Sequence, residues 1–209
     1  MYNAGVSKVF KDRQVLVITG FKQTGKDFMV EQLREKLSPF RKVIRLSFSD
    51  ELRRITNHIF PWVPLSPGNV EKETPVETEK NIGNLSPRQI WKLVADDNTG
   101  ICSVQEDVLV DHFMMNQLSE ESLSDPDALY VITDLRKICE NVFVDKCGFK
   151  KLRIVNPEYH RPLVEDNVER YIPSFKVDHE LLNMRDDSSI KEMFVVVSKM
   201  FPNLAGELL

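Results

Sequence analysis

The stretch that most constrains this chain is Val15-Leu-Val-Ile-Thr-Gly-Phe-Lys-Gln-Thr-Gly-Lys-Asp27. It opens on four consecutive apolar residues, Val15 to Ile18, three of them β-branched. Such a run suits a short strand buried on both faces. It then passes through Gly20 and Gly25 into a helical pattern of apolar residues at Phe28, Val30, Leu33 and Leu37. Strand, glycine-bounded loop, lysine and helix together make a phosphate-binding loop. The chemistry asks for these residue types. Gly20 and Gly25 let the backbone turn tightly, so that successive N–H groups point into one concavity. The helix adds unpaired amides and the positive end of its dipole. Lys26 supplies a mobile cation for terminal phosphates. Lys22, Gln23 and Thr24 fill the loop between the glycines.

One position departs from the general motif. A hydroxyl residue usually follows the lysine and ligates magnesium, and here it is Asp27. Asp27 has two readings: a magnesium ligand, or an acidic residue favoured by the dipole in a first helical turn.

The rest of the composition excludes several classes. The 209 residues suit one domain, or one domain with a small insertion, and 42% apolar content permits a sizeable core. A net charge of −4 argues against a protein held to nucleic acid by phosphate contacts. No apolar run approaches the ~20 residues needed to cross a bilayer, so no membrane partner is expected. Residues 1–13 lack the apolar core of a secretory signal; Val6, Val9 and Phe10 suit one packed helical turn or a frayed arm. Cys102, Cys139 and Cys147 show no paired spacing, and the histidines are scattered. A structural zinc site is not expected, and a reducing cytoplasm is.

Further strands are expected over 42–48, 128–133, 151–155 and, more weakly, 175–182. Helices are expected over 51–60 behind a Ser49-Asp50 cap, from Pro87 behind Ser86, over about 104–118, over 137–146 closed by Gly148, over 163–171 and over 190–201. Leu52, Ile55 and Ile59 are spaced for one face of the first of these; Ile90, Trp91, Leu93 and Val94 for the buried side of the second. Strands alternating with helices give an α/β domain around a mostly parallel five-stranded sheet. Pro61 to Pro87 is rich in proline and charge and long for a passive connection.

Open α/β sheets bind ligands at the C-terminal edge of their strands. The loop before Lys26, Asp50, Asp134 with Arg136, and the segment after Val155 are expected at that edge. Phosphoryl transfer also needs an acceptor pocket, bridging cations and exclusion of water. Arg53, Arg54, Lys72 and Arg88 are candidates to hold an anionic acceptor. Arg161 and Arg170 are candidates to cover the donor phosphates. Asp134 is a candidate to hold magnesium, and Arg136 to pair with the acceptor phosphate. Each has a bland alternative as a solvated surface residue.

These residues resemble a family. Gly20-Phe-Lys-Gln-Thr-Gly-Lys-Asp27 is similar to the phosphate loop of phage deoxynucleoside monophosphate kinases, which also carry aspartate after the lysine. Ser47-Phe-Ser-Asp-Glu-Leu52, Glu71-Lys-Glu-Thr-Pro75, Ser86-Pro-Arg-Gln89 and Asp134-Leu-Arg136 with Glu140 resemble further segments of that family in the same order, over about 15–200. The resemblance implies a P-loop kinase-like three-layer domain over 1–209, with an acceptor-side insertion at about 61–120 and a lid-like segment at about 156–174. It implies transfer of the ATP γ-phosphate to a (deoxy)nucleoside 5′-monophosphate, with ATP and Mg²⁺ as cofactors. Lys26, Arg136, Asp134 and Asp50 would be catalytic. Gly20 through Asp27 with Arg161 would bind ATP. Arg53, Arg54, Lys72, Arg88 and Arg136 would bind the acceptor, and Asp27 and Asp134 would hold the metal. A host cytoplasm follows if the protein is phage-encoded, and a homodimer is compatible. Two departures bear on the acceptor. Ala95 to Ser103 has no arginine, and Glu51 stands where the family has proline. A phosphomevalonate kinase-like enzyme and a non-catalytic nucleotide switch remain alternatives.

Overall fold

The computed structural model describes residues 13–119, 123–158 and 169–209. In chain order it runs β1 (Gln14–Thr19), α1 (Lys26–Leu37), β2 (Val43–Leu46), α2 (Phe48–Ile59), α3 (Pro87–Val94), α4 (Ile101–Val104) and α5 (Val108–Gln117). It continues with β3 (Leu129–Leu135), α6 (Ile138–Cys147), β4 (Lys150–Val155), β5 (His179–Leu182), α7 (Asp187–Met200) and α8 (Ala205–Leu208). The chain divides into two compact units, one made of 1–46 with 119–209 and the other of 47–118. Among the described residues no helix is long and apolar enough to cross a membrane.

The first unit is an α/β layer structure. Its five strands lie in the order β2-β3-β1-β4-β5 and every pairing is parallel. The apolar run Val15 to Ile18 takes the centre, where both faces must exclude water, and each of these residues is buried. Period-two alternation then assigns the faces. Leu16 and Ile18, with Leu129, Val131, Leu152, Ile154 and Leu181, join one cluster with Met29, Leu33 and Leu37 of α1 and Met193, Val197 and Met200 of α7. Each such side chain contributes about 1.5–3 kcal/mol by leaving water. Val15, Val17, Tyr130 and Ile132 are buried on the opposite face. Right-handed crossover puts α6 on that side, since β3 connects to β4 in the direction opposite to the β1–β2 connection. Its Phe143 is buried and meets Phe149 edge-on at 6.2 Å. Gly148 ends α6 at φ 68°, the left-handed conformation expected of it.

Phe28 corrects the sequence reading of α1: it is 51% exposed, and Met29 fills the core position instead. Two strands are shorter than expected, β2 ending at Leu46 and β5 beginning at His179. Strand β3 is longer and runs through Asp134 to Leu135, so Asp134 lies inside the strand's end and not beyond it. Helix α7 starts three residues earlier than its apolar pattern, because Asp186 caps it by accepting from the Ser189 amide at 2.9 Å. The helix expected over 163–171 falls almost wholly outside the described residues, as does the N-terminal turn at Val6–Phe10.

The second unit is helical. Helix α2 begins at Phe48 behind Ser47, so Asp50 sits in its first turn and is not its cap. Its buried residues are Phe48, Glu51 and Thr56, whereas Ile59 is exposed. The Phe48 ring packs on Phe113 of α5 at 4.3 Å. Beside it, the Gln117 amide group accepts from the Ser47 N–H at 2.9 Å and donates to the Ser47 carbonyl at 2.8 Å. A single helix over 104–118 is not formed: Gln105 is extended, which separates α4 from α5. Helix α3 has the expected start. The Gln89 N–H donates to Ser86 Oγ and the Ser86 N–H donates to Gln89 Oε1, with Pro87 at the first helical position. Leu93 is exposed, contrary to the sequence reading; Ile90 and Trp91 carry the burial.

Between α2 and α3 the chain holds itself by local hydrogen bonds. Asn81 Nδ2 donates to the carbonyls of Val76 and Leu85, both at 2.9 Å, and the Leu85 N–H returns to Asn81 Oδ1. Ser86→Ala is expected to cost about 1 kcal/mol by removing one half of the reciprocal cap. A lowered urea midpoint with an unchanged slope would register it.

Candidate active site

Strand order fixes where a ligand can sit on the first unit. β1 and β3 are neighbours, yet β1 connects toward one edge of the sheet and β3 toward the other. The connections therefore diverge past the C-terminal ends of these two strands, the place where open α/β sheets bind ligands. The loop after Thr19 and the segment after Leu135 both open onto it.

The loop's conformation follows from its glycines and braces. Gly20 has φ 145°, and a Cβ there would lie 2.4 Å from the Ile154 carbonyl oxygen. Gly25 has φ 88°, and a Cβ there would lie 2.2 Å from Asn183 Nδ2. Gln23, at φ 68°, is a non-glycine residue in the left-handed region. Thr24 is buried and donates its hydroxyl to the Phe21 carbonyl at 2.9 Å. The loop is also held from the β5–α7 turn. Asn183 Nδ2 donates to the Thr24 carbonyl at 2.8 Å, and Arg185 Nη2 to the Gln23 carbonyl at 3.3 Å. Neither residue carried any signal in the sequence.

Lys26 opens α1 and is buried. Its Nζ donates to the carbonyls of Gly20 at 2.7 Å and Phe21 at 2.6 Å. Burial, and then the Arg136 guanidinium, lower its pKa to about 8; Glu169, Asp27 and Asp134 act in the opposite sense. Lys26 is therefore a cation whose charge is held at a cost, which suits it to an anionic partner. Asp27 is exposed in the first turn of α1.

Arg136 follows β3. Its Nε is buried without a hydrogen-bond partner among the described residues, and its Nη1 lies 3.9 Å from Glu169 Oε1. Its backbone is fixed by Glu140. Glu140 Oε2 accepts from the N–H groups of Arg136 at 2.8 Å and Lys137 at 2.9 Å. Burial, with the nearby Asp134 carboxylate adding to it, pushes Glu140 up to about 7, and the two backbone donors oppose the shift. Glu169 was missed in the sequence, where it is one acidic residue in a polar segment. It is buried, and its Oε1 accepts from the Lys22 N–H of the loop at 2.9 Å.

The structure thus gathers Gly20 through Asp27, Asp134 and Arg136 on the first unit. Asp50, Arg53, Arg54, Lys72 and Arg88 lie on the second, and Arg161 lies outside the described residues. Arg53 stacks over the Trp91 ring at 4.9 Å and pairs with Asp50 at 3.4 Å. Its Nε, Thr56 Oγ1 and Trp91 Nε1 are buried without hydrogen-bond partners among the described residues. Arg54 is exposed and pairs with Glu51. Glu51 is fully buried and also accepts from Asn116 and Gln117. Lys72 Nζ donates to Asn69 Oδ1 at 2.6 Å. Arg88 Nε is 2.6 Å from Glu73 Oε1, a close ion contact off the hydrogen-bonding direction. Arg170 stacks on Tyr171 at 4.5 Å.

Among the described residues no three His, Cys, Asp or Glu side chains are grouped to cage a metal. Magnesium bound with nucleotide needs less, since one or two carboxylates with phosphate oxygens and waters complete its shell. Asp27 and Asp134, both within electrostatic reach of Lys26, fit that limited role.

Against known proteins, no protein-family model matches the chain and no curated protein matches it.

Glu140 gives a pH signature. Its folded pKa lies above the unfolded value of 4.5, so the folded state binds the extra proton between pH 4.5 and about 7. Its stabilising contribution is full below 4.5 and is lost as pH rises through that window, by roughly 3 kcal/mol. Glu140→Gln is expected to remove this fall, read as the difference between the two proteins in denaturant titrations across pH.

Proposed function

We propose that the protein is a phosphate-loop nucleotide kinase, moving the γ-phosphoryl group of ATP to a (deoxy)nucleoside 5′-monophosphate. The observation that carries this reading is the loop from Gly20 to Gly25 at the C-terminal end of β1, with Lys26 buried at its end and Arg136 entering from the next strand. A glycine-bounded loop, a buried lysine and a guanidinium whose Nε has no hydrogen-bond partner among the described residues follow neighbouring strands, a set that suits phosphate groups.

An oxygen of the acceptor phosphate, already ionised near neutral pH, attacks the γ-phosphorus. The bond from that phosphorus to the β–γ bridging oxygen breaks, and ADP leaves. No side chain has to remove a proton, so the work is positioning and charge neutralisation. Loop amides and Lys26 hold the donor. Arg136 spans the oxygens of donor and acceptor with its planar fork. Magnesium, held by Asp27 and Asp134 with the phosphates, would neutralise developing charge. The orphaned polar atoms of Arg53, Thr56 and Trp91 support a polar ligand on the second unit, with Asp50 orienting Arg53.

The deciding experiment measures ATP consumption against a panel of deoxy- and ribonucleoside monophosphates, with phosphomevalonate included. Monophosphate-dependent ADP release supports the reading. Consumption only with phosphomevalonate transfers the assignment to that acceptor. Nucleotide binding with no acceptor-dependent turnover makes the protein a switch.

Lys26→Ala is expected to lower turnover by about 10²–10³ while the far-ultraviolet dichroism stays native. Arg136→Lys is expected to lose at least about tenfold in kcat, because an ammonium cannot span two phosphates, with ATP affinity nearly unchanged. A collapse of ATP affinity with normal kcat would instead assign Arg136 to donor binding alone.

A further inference from the structure

Glu169 is unexpected where it is. An anion-binding loop gains from cations and N–H groups, and a carboxylate against it repels phosphate. Yet Glu169 Oε1 accepts the Lys22 N–H at 2.9 Å and lies 3.9 Å from Arg136 Nη1. Its charge also reaches Lys26. These three groups, an amide of the loop, the loop lysine and the arginine after β3, are those assigned above to phosphate. The side chain is only 11% exposed, so its position is fixed by the surroundings and not by solvent.

We infer that Glu169 is a built-in competitor for the phosphate cradle, whose carboxylate must release the Lys22 amide before a nucleotide phosphate is held there. The inference rests on the kinase reading, which supplies the ligand. The Lys22 amide has one hydrogen. An oxygen of Glu169 and an oxygen of phosphate cannot both take it in good geometry. Charge imposes the same exclusion, because two anions sharing one site repel. Apparent affinity is then the intrinsic affinity reduced by the fraction of molecules in which Glu169 has moved away. That fraction is a property of the protein alone. Every ligand whose phosphate enters the cradle meets the same penalty. Glu169 thereby sets a charge threshold: a polyphosphate, which also engages Lys26 and Arg136, displaces it more readily than a single phosphate does.

The test compares wild type, Glu169→Gln and Glu169→Ala, with Glu180→Gln as a control that removes the same charge from an exposed position on β5. Calorimetry measures binding of a non-hydrolysable ATP analogue and of inorganic tripolyphosphate. Amide hydrogen exchange follows Lys22 without ligand. Both Glu169 variants are expected to bind both ligands about tenfold more tightly, by a similar factor for each. Glu180→Gln should change affinity less than twofold. Lys22 should exchange faster in Glu169→Ala than in wild type. If affinity falls or stays constant in folded Glu169 variants while wild type binds both ligands, Glu169 braces the loop and the competitor assignment is wrong, with the kinase reading intact. A gain matched by Glu180→Gln would reduce the effect to net charge and overturn the assignment as well. If no form binds either ligand, the kinase reading fails and the inference falls with it.

Discussion

A charged lysine is kept inside the protein at the start of α1, and the surrounding structure is arranged to make that tolerable. Removing an ammonium from water costs several kcal/mol unless oxygens replace the lost hydration. The Gly20 and Phe21 carbonyls supply those oxygens, and they can face Lys26 only because the loop bends back on itself. The bend requires positive φ at Gly20 and Gly25. It also requires braces from outside the loop, which Asn183 and Arg185 provide. The central strand in turn must be rigid to hold the loop's origin, which its burial between β3 and β4 secures.

Much of this was legible in the sequence because it depends on local pattern. A run of β-branched residues identifies a central strand, and Ser86-Pro-Arg-Gln89 announces a helix start with its own cap. Gly148 marks a helix end in the same way. Residues whose role depends on distant partners were not legible. Glu51 interrupts the apolar stripe of α2 and looks like a surface residue. It is buried because Asn116 and Gln117 wait for it on α5. Glu169 and Asn183 are of the same kind, since no spacing rule links either to the loop they touch. The exposed face of α1 was misread for a simpler reason: Phe28 is apolar, and hydropathy alone cannot say that Met29 will take the inner position.

The second unit shows how polar groups can define a fold's interior. Gln117 serves both the N–H and the carbonyl of Ser47 and also donates to Glu51. Such a side chain uses both of its N–H donors and its oxygen while joining the start of α2 to the end of α5. A leucine there would bury as much area but would leave the Ser47 N–H and carbonyl without these partners. Specific pairing is gained where an apolar contact would allow several registers.

The brace from Asn183 has a consequence for synthesis of the chain. Asn183 lies 159 positions downstream of the Thr24 carbonyl it grips. A ribosome that has released β1, α1, β3 and β4 has therefore released every loop residue but not the group that locks them. Until β5 pairs with β4, the Gly25 backbone has no amide against it and the left-handed turn is one conformer among several. The loop is braced by Asn183 only when the edge strand is in place, so a chain that had paired β1, β3 and β4 alone would have a sheet but not the braced loop. A ligand of the kind proposed above would meet no braced loop on such a chain. It would act only on molecules whose edge strand is already in place, as a selector of completed chains.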